Sequence, residues 1–186
     1  MKVVDEAESL SRAINEEVVL TPYNSAWPAL FEDERDRLLG LFPGEFVAIE
    51  HIGSTAVPGL SAKPIIDILA GVDSMPNADD LMTPLCASKY TTSMEYNALL
   101  VGRRWLMRWA NGRRTHHLHL MVHNCQEWNR RLAFRDLLRV DIGLAQQYET
   151  KKRQWAADLK SDREAYTEAK GEFICEALSF GGKACG

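Results

Sequence analysis

Two stretches of the chain are apolar at nearly every position, and a polar loop joins them. Phe46-Val47-Ala48-Ile49 predicts one buried strand, and Ile65-Ile66-Asp67-Ile68-Leu69-Ala70-Gly71-Val72 predicts another, with a single carboxylate near its middle. An aspartate inside such a strand is costly unless a cation or a hydrogen-bond donor meets it, so Asp67 calls for a partner. The third strong pattern is a hairpin. Leu99 to Ala110 and Arg113 to Val122 flank Asn111-Gly112, a pair favoured in two-residue turns. That turn sets Arg108 against Thr115, Leu106 against His117 and Arg104 against His119. Alternation along the strands then puts Arg104, Arg108, His117 and His119 on one polar face, suited to an anion. The opposite face receives Trp105, Met107, Trp109, His116, Leu118, Leu120 and Val122.

Elsewhere the period is helical. Ala7, Leu10 and Ile14 predict a short helix over Asp5 to Glu17, an arm of residues 1–17 ahead of one domain over 18–181; Val18 to Leu20 predicts a short strand. A helix opens after Asn24, with Ser25 as its cap and Pro28 in its first turn. Leu30, Phe31, Leu38, Leu39 and Leu41 form its buried stripe, and it ends at Pro43-Gly44. Asp73-Ser74-Met75-Pro76 starts a second helix that runs to about Ala87 with Leu81, Met82 and Leu85 inward. Ser88 to Asn97 is ambiguous between a short strand and a loop. From Cys125 onward the pattern predicts three helices, over Gln126 to Val140, Gly143 to Leu159 and Asp162 to Phe180. The last opens on the capping box Ser161-Asp162-Arg163-Glu164, and residues 182–186 are expected to fray.

Composition narrows the classes. A chain of 186 residues suffices for one domain with a hydrophobic core. A net charge of −4 argues against nucleic acid as the partner. No apolar run is long enough to span a membrane, and the first residues lack a signal-peptide core, so a cytoplasmic location is expected. The four cysteines are too irregularly spaced to suggest zinc knuckles or disulfides.

The loop between the first two strands holds the densest chemistry. The amides and hydroxyls of Gly53-Ser54-Thr55 suit a phosphate, with Lys63 adding charge; the same run also reads as a tight structural turn. Asp67 with His117 and His119 makes a donor set for one metal ion, or a purely hydrogen-bonded trio. Trp128, Leu132, Arg135 and Arg139 share a helical stripe, which makes Arg135 either a buried ion-pair partner or a ligand clamp. Tyr166 and Lys170 lie one turn apart, placed to stack on a base and reach a phosphate, or to pack in the core. His51 reads as a hydrogen-bonded structural residue.

The string from Glu50 to Asp67 resembles the Gly-Ser and aspartate signature of the nucleotidyltransferase superfamily, with its polymerase-beta-like fold, and within it the GrpB family. Further matches are Tyr23 and Trp27, His117-Leu118-His119, Leu132 to Arg139, and Asp162 to Lys170, so the resemblance runs from about Val18 to about Phe180. It implies an α+β fold: a nucleotidyltransferase-like mixed β-sheet flanked by helices, with a C-terminal helical segment. It also implies a nucleotide or phosphorylated small molecule as ligand and a divalent metal ion (Mg, Mn or Zn) as cofactor. Ser54 and Thr55 would position phosphate, Asp67 would bind metal, and Arg104, His119 and Arg135 would neutralise charge. One departure matters. Superfamily enzymes carry a second carboxylate two residues after the first, where this chain has Leu69; Glu50, Glu95 and Glu127 are the candidates to stand in from elsewhere. Three functions therefore stay open: nucleotidyl transfer, non-catalytic binding of a nucleotide or coenzyme-A metabolite, and metal-dependent hydrolysis by Asp67, His117 and His119. Relatives fused to dephospho-CoA kinase suggest the coenzyme-A link, although this chain has no kinase P-loop.

Overall fold

The computed structural model describes residues 19–158 and 163–180. The predicted arm, the strand at Val18 and the capping box at Ser161 fall wholly or partly outside them. Five strands form one mixed sheet: β1 (Ala48–Ile52), β2 (Ile66–Val72), β3 (Tyr90–Thr91), β4 (Arg104–Ala110) and β5 (Arg113–Val122), in the order β1-β2-β5-β4-β3. Only β2 and β5 run parallel; the other neighbours are antiparallel. This is the α+β mixed sheet expected.

Helices α1 (Trp27–Leu41) and α2 (Met75–Ala87) cover one face of the sheet. Ile66, Ile68, Ala70, Val72, Leu106, Leu118 and Leu120 point at them and form the main core with Trp27, Phe31, Leu38, Leu81 and Leu85. The buried stripe of α1 is rotated from the expected one. Trp27, Phe31, Glu34 and Leu38 face inward, whereas Leu30, Leu39 and Leu41 are exposed. Nor does Ser25 cap α1: it offers no side-chain cap, and Asn24 Oδ1 accepts from the Ala26 amide instead.

Glu34 explains the rotation. A charged residue is tolerable inside only when it is matched, and Glu34 accepts from Arg37, Arg108 and the Tyr90 hydroxyl, the last at 2.7 Å. Arg37 also donates to the Ser88 carbonyl. One carboxylate thus ties α1 to the end of α2, to β3 and to β4. Burial opposes its charge, but these donors hold its carboxyl below the ordinary value.

The hairpin turn is as expected. Asn111 and Gly112 both have positive φ, at 52° and 73°, which fits the twist of a two-residue turn. Its register does not propagate as predicted, because a bulge between Arg108 and Trp109 slips the pairing by one residue. Arg108 faces His116 and Arg104 faces Leu120, so both arginines lie on the core face and not beside His117 and His119. Trp105 and Met107 take their places opposite His119 and His117. Between β3 and β4 a short helix, α3 (Met94–Ala98), fills the stretch left ambiguous by the sequence.

The C-terminal helices α4 (Gln126–Val140), α5 (Ile142–Asp158) and α6 (Arg163–Phe180) form a second cluster. Phe134, Leu138, Tyr148, Ala177 and Leu178 pack with Val57 and Leu60, so this helical unit grips the loop between β1 and β2. Trp128 and Leu132 of α4 cover part of the second sheet face, against Ile52, Leu69 and Met121. Among the described residues no helix is long and apolar enough to cross a membrane.

Candidate functional site

The site begins with the parallel pairing of β2 and β5. It sets Asp67 beside His117 and Leu69 beside His119, all on the face away from α1 and α2. One ligand atom from each of Asp67, His117 and His119 lies within 4.8 Å of the others. His117 Nδ1 is 2.9 Å from Asp67 Oδ1, and His119 Nε2 is 3.9 Å from the same oxygen. Arg114 has only donors, so its contact at 3.3 Å makes His117 Nε2 an acceptor and Nδ1–H the donor to Asp67. Burial works against the charge on Asp67, but the two histidines hold its carboxyl far below the usual range. Burial pushes His119 down to about 3, against the pull of Asp67 and helped by the charges of Arg131 and Arg103. The trio is therefore one carboxylate with a neutral His119, and His119 Nδ1 is buried with no hydrogen-bond partner among the described residues. An oxygen and two imidazole nitrogens suit a zinc-like divalent ion better than magnesium.

The β1–β2 loop is pressed against this carboxylate. Gly53 has φ +73°, and a Cβ there would lie 2.5 Å from Asp67 Oδ2. Ser54 opens a single turn of 3₁₀ helix (Ser54–Ala56), half-buried, one residue from that contact. Thr55 turns inward. Its hydroxyl donates to the Ile65 carbonyl at 3.4 Å and meets His51 Nε2 at 3.0 Å, so the structure removes Thr55 from the phosphate cradle. His51, stacked on Phe31 at 4.7 Å, is pushed by burial down to about 4, in keeping with a structural role. Lys63 lies half-buried further along the same loop.

Other expected residues go elsewhere. Arg104 pairs with Asp79 of α2 on the core side of the sheet. Arg135 donates to Glu50 at 2.6 Å and to the His51 carbonyl at 3.0 Å, an ion-pair clamp between α4 and β1. It lines a separate cleft of about 530 Å³ at the outer edge of β1, with Tyr23, Phe31 and Arg139. The side chain of Tyr166 is outside the described ones; Lys170 is half-buried on α6. No stand-in carboxylate joins Asp67 among the described residues. Leu69 is wholly buried under Trp128, Glu50 is held by Arg135, and Glu127 is held by Arg130 and Arg131.

Two cations were missed by sequence reasoning. Arg103 precedes β4, and its half-buried guanidinium has no hydrogen-bond or ion-pair partner among the described residues. The bulge hid it, since without that slip Arg104 takes the site face. Lys152 of α5 is buried, donating to Ser54 Oγ at 3.0 Å and to the Ser61 carbonyl at 2.6 Å. Its signal was available: Lys152 lies one turn after Tyr148, on the inward stripe of an otherwise charged helix.

Residues 17–179 match the family model described as GrpB protein. The chain is 37% identical over 158 residues to UPF0157 protein YqkA of Bacillus subtilis, covering 85% of this chain and 45% of that one. It is 30% identical to the Glutamate-rich protein GrpB of Alkalihalophilus pseudofirmus, covering 88% and 95% of the two chains. A protein described as Dephospho-CoA kinase from Mycobacterium bovis matches at 30% identity over 85% of this chain and 44% of its own length. Among solved structures, the conserved protein GrpB from Enterococcus faecalis superposes with a TM-score of 0.74 at 36% identity, covering 89% of this chain and all of that one.

Proposed function

Taking as premise that the chain belongs to the GrpB family, we propose that it binds a nucleotide or a related phosphorylated metabolite through one divalent metal ion. Asp67, His117 and His119 hold the ion, His117 moving its ring proton from Nδ1 to Nε2 and releasing Arg114 as the ion enters, and Ser54 lies at the adjoining phosphate. The observation that carries this reading is the meeting of the three side chains within 4.8 Å, with the Gly53–Ser54 loop pressed against their shared carboxylate. A cation held there polarises the phosphate oxygen it contacts. Arg103, half-buried near His119 with no hydrogen bond among the described residues, takes over the charge-neutralising role first read into Arg104. With Leu69 at the second carboxylate position, the donor set favours one ion over the pair used in ordinary nucleotidyl transfer. The reading therefore stops at metal-assisted binding of a phosphate ester.

The test is a calorimetric titration of metal-free protein with Zn²⁺, Mn²⁺ and Mg²⁺, followed by ATP and, given the kinase relative, dephospho-CoA. Wild type is expected to bind one Zn²⁺ and to bind a nucleotide only when the metal is present. Asp67→Ala is expected to lower Zn²⁺ affinity by at least about a hundredfold, since even residues supporting a ligand contribute up to that much. Wild-type affinity in Asp67→Ala, or no metal binding by wild type, overturns the reading.

A further inference from the structure

Lys152 presents a problem that the fold alone leaves unsolved. The side chain is buried, its ammonium lies over the Tyr148 ring at 4.9 Å, and two of its N–H groups go to neutral oxygens, Ser54 Oγ and the Ser61 carbonyl. Among the described residues no carboxylate lies within ion-pair distance of it. Buried cations are ordinarily paired, because oxygen dipoles and a ring offset only part of the lost hydration. The carboxylate nearest in effect, Glu149, is turned to Arg153 and to the Ser61 amide. Its two hydrogen bonds and the ring contact hold the lysine in place but leave its charge without a counter-charge.

The position says what the missing counter-charge is. Ser54, the partner at 3.0 Å, is half-buried and one residue from the glycine that contacts Asp67. An anion seated on the Ser54 hydroxyl therefore meets the ammonium that already holds that hydroxyl. Val57 and Leu60, packed into the helical cluster, fix the loop and the lysine relative to each other.

We propose that Lys152 is the anion-binding group of the Ser54 loop, its charge completed by a phosphate of the ligand. This rests on the phosphate-ligand reading above and adds the chemistry of a second anchor. The ligand bridges two units of the fold, with one phosphate at the sheet trio and the next at the helical lysine, which selects di- and triphosphates over monoesters. It also couples binding to a proton. Burial and then the like charge of Lys170 on α6 push Lys152 down to about 7, against the pull of Glu149 and with a smaller push from Arg153 on α5. An anion reverses that push, so a proton is taken up as the ligand binds above neutral pH.

The experiment uses the full chain, saturated with Zn²⁺, titrated calorimetrically with ATP and with AMP at pH 8 in Hepes and in Tris, whose ionisation enthalpies differ. Wild type is expected to bind ATP at least tenfold more tightly than AMP and to take up close to one proton with it. Lys152→Met is expected to lose that uptake and to bind ATP at least tenfold more weakly, with Zn²⁺ affinity unchanged. A structural pin would not move the proton count. Should Lys152→Met fail to fold, wild-type proton uptake decides, together with Ser54→Ala, which is expected to weaken ATP binding in the same sense. ATP binding by wild type without proton uptake, or unaltered by the lysine substitution, overturns this inference and leaves the metal-site reading standing. No ATP binding by wild type overturns this inference, and no binding of dephospho-CoA either overturns both.

Discussion

Replacing Glu34 by alanine is expected to destabilise the protein by about 3–5 kcal/mol, the cost of removing one partner from a buried charge cluster. Arg37 and Arg108 would be left facing each other around an empty position, and the Tyr90 hydroxyl would lose its acceptor. At this chain length such a loss lowers the melting temperature by roughly 6–20 °C, measurable by calorimetry or by circular dichroism on heating. A substitution that leaves the midpoint in place would show that the cluster contributes nothing net. The same group predicts an acid limb. Folded Glu34 titrates below its ordinary value of 4.5, so the folded state binds its proton less readily than the unfolded chain does. Its contribution is complete above pH 4.5 or so and is lost as the pH falls toward the folded value. In Glu34→Gln that part of the acid-induced loss is expected to vanish, which pH-resolved denaturant titrations of the two proteins would detect.

The second large effect is expected at Gly53. Its backbone lies in a region that side chains rarely adopt, which costs about 1–3 kcal/mol for any other residue. A Cβ there would also lie 2.5 Å from Asp67 Oδ2. The carboxylate would have to leave His117 or the loop would have to move, and either change separates Asp67 from Ser54. Gly53→Ala is therefore expected to lower stability and to abolish Zn²⁺ and ATP binding together. Zinc affinity equal to wild type in a folded Gly53→Ala protein would sink the claim that the loop and the carboxylate form one unit.

The sequence revealed most of the framework, for physical reasons that can be named. The apolar runs around Ile66 and Leu118, the Asn111-Gly112 turn and the helical periods after Cys125 are local signals, and each element formed where its pattern lay. Asp67 was conspicuous because a carboxylate in an apolar strand needs partners, and His117 supplies one. What misled was cooperative. The bulge at Arg108 and Trp109 is invisible to alternation, yet it exchanges the faces of every residue upstream of it in β4, trading Arg104 for Arg103. The inward turn of Glu34 depends on donors that arrive from two other elements, β3 and β4, besides Arg37 of its own helix. Thr55 and Arg135 were read as ligand contacts because their residue types suit that role. The fold uses the first to seat His51 and the second to clamp Glu50. Lys152 escaped notice although it lies one turn after Tyr148, because only the docking of α5 on the loop shows that this stripe is buried.

The two strands that carry the trio are neighbours in the sheet but distant in the chain, with Asp67 and His117 50 positions apart. During synthesis the carboxylate leaves the ribosome well before its imidazole partners, and the helix bearing Lys152 emerges later still. Non-local parallel pairing of this kind closes slowly, because the loop entropy is lost before the contacts compensate for it. A nascent chain truncated after α2 thus holds Asp67 without His117 and His119, and the trio is incomplete. On the metal-binding proposal, the ion would find its full donor set only in an almost finished molecule.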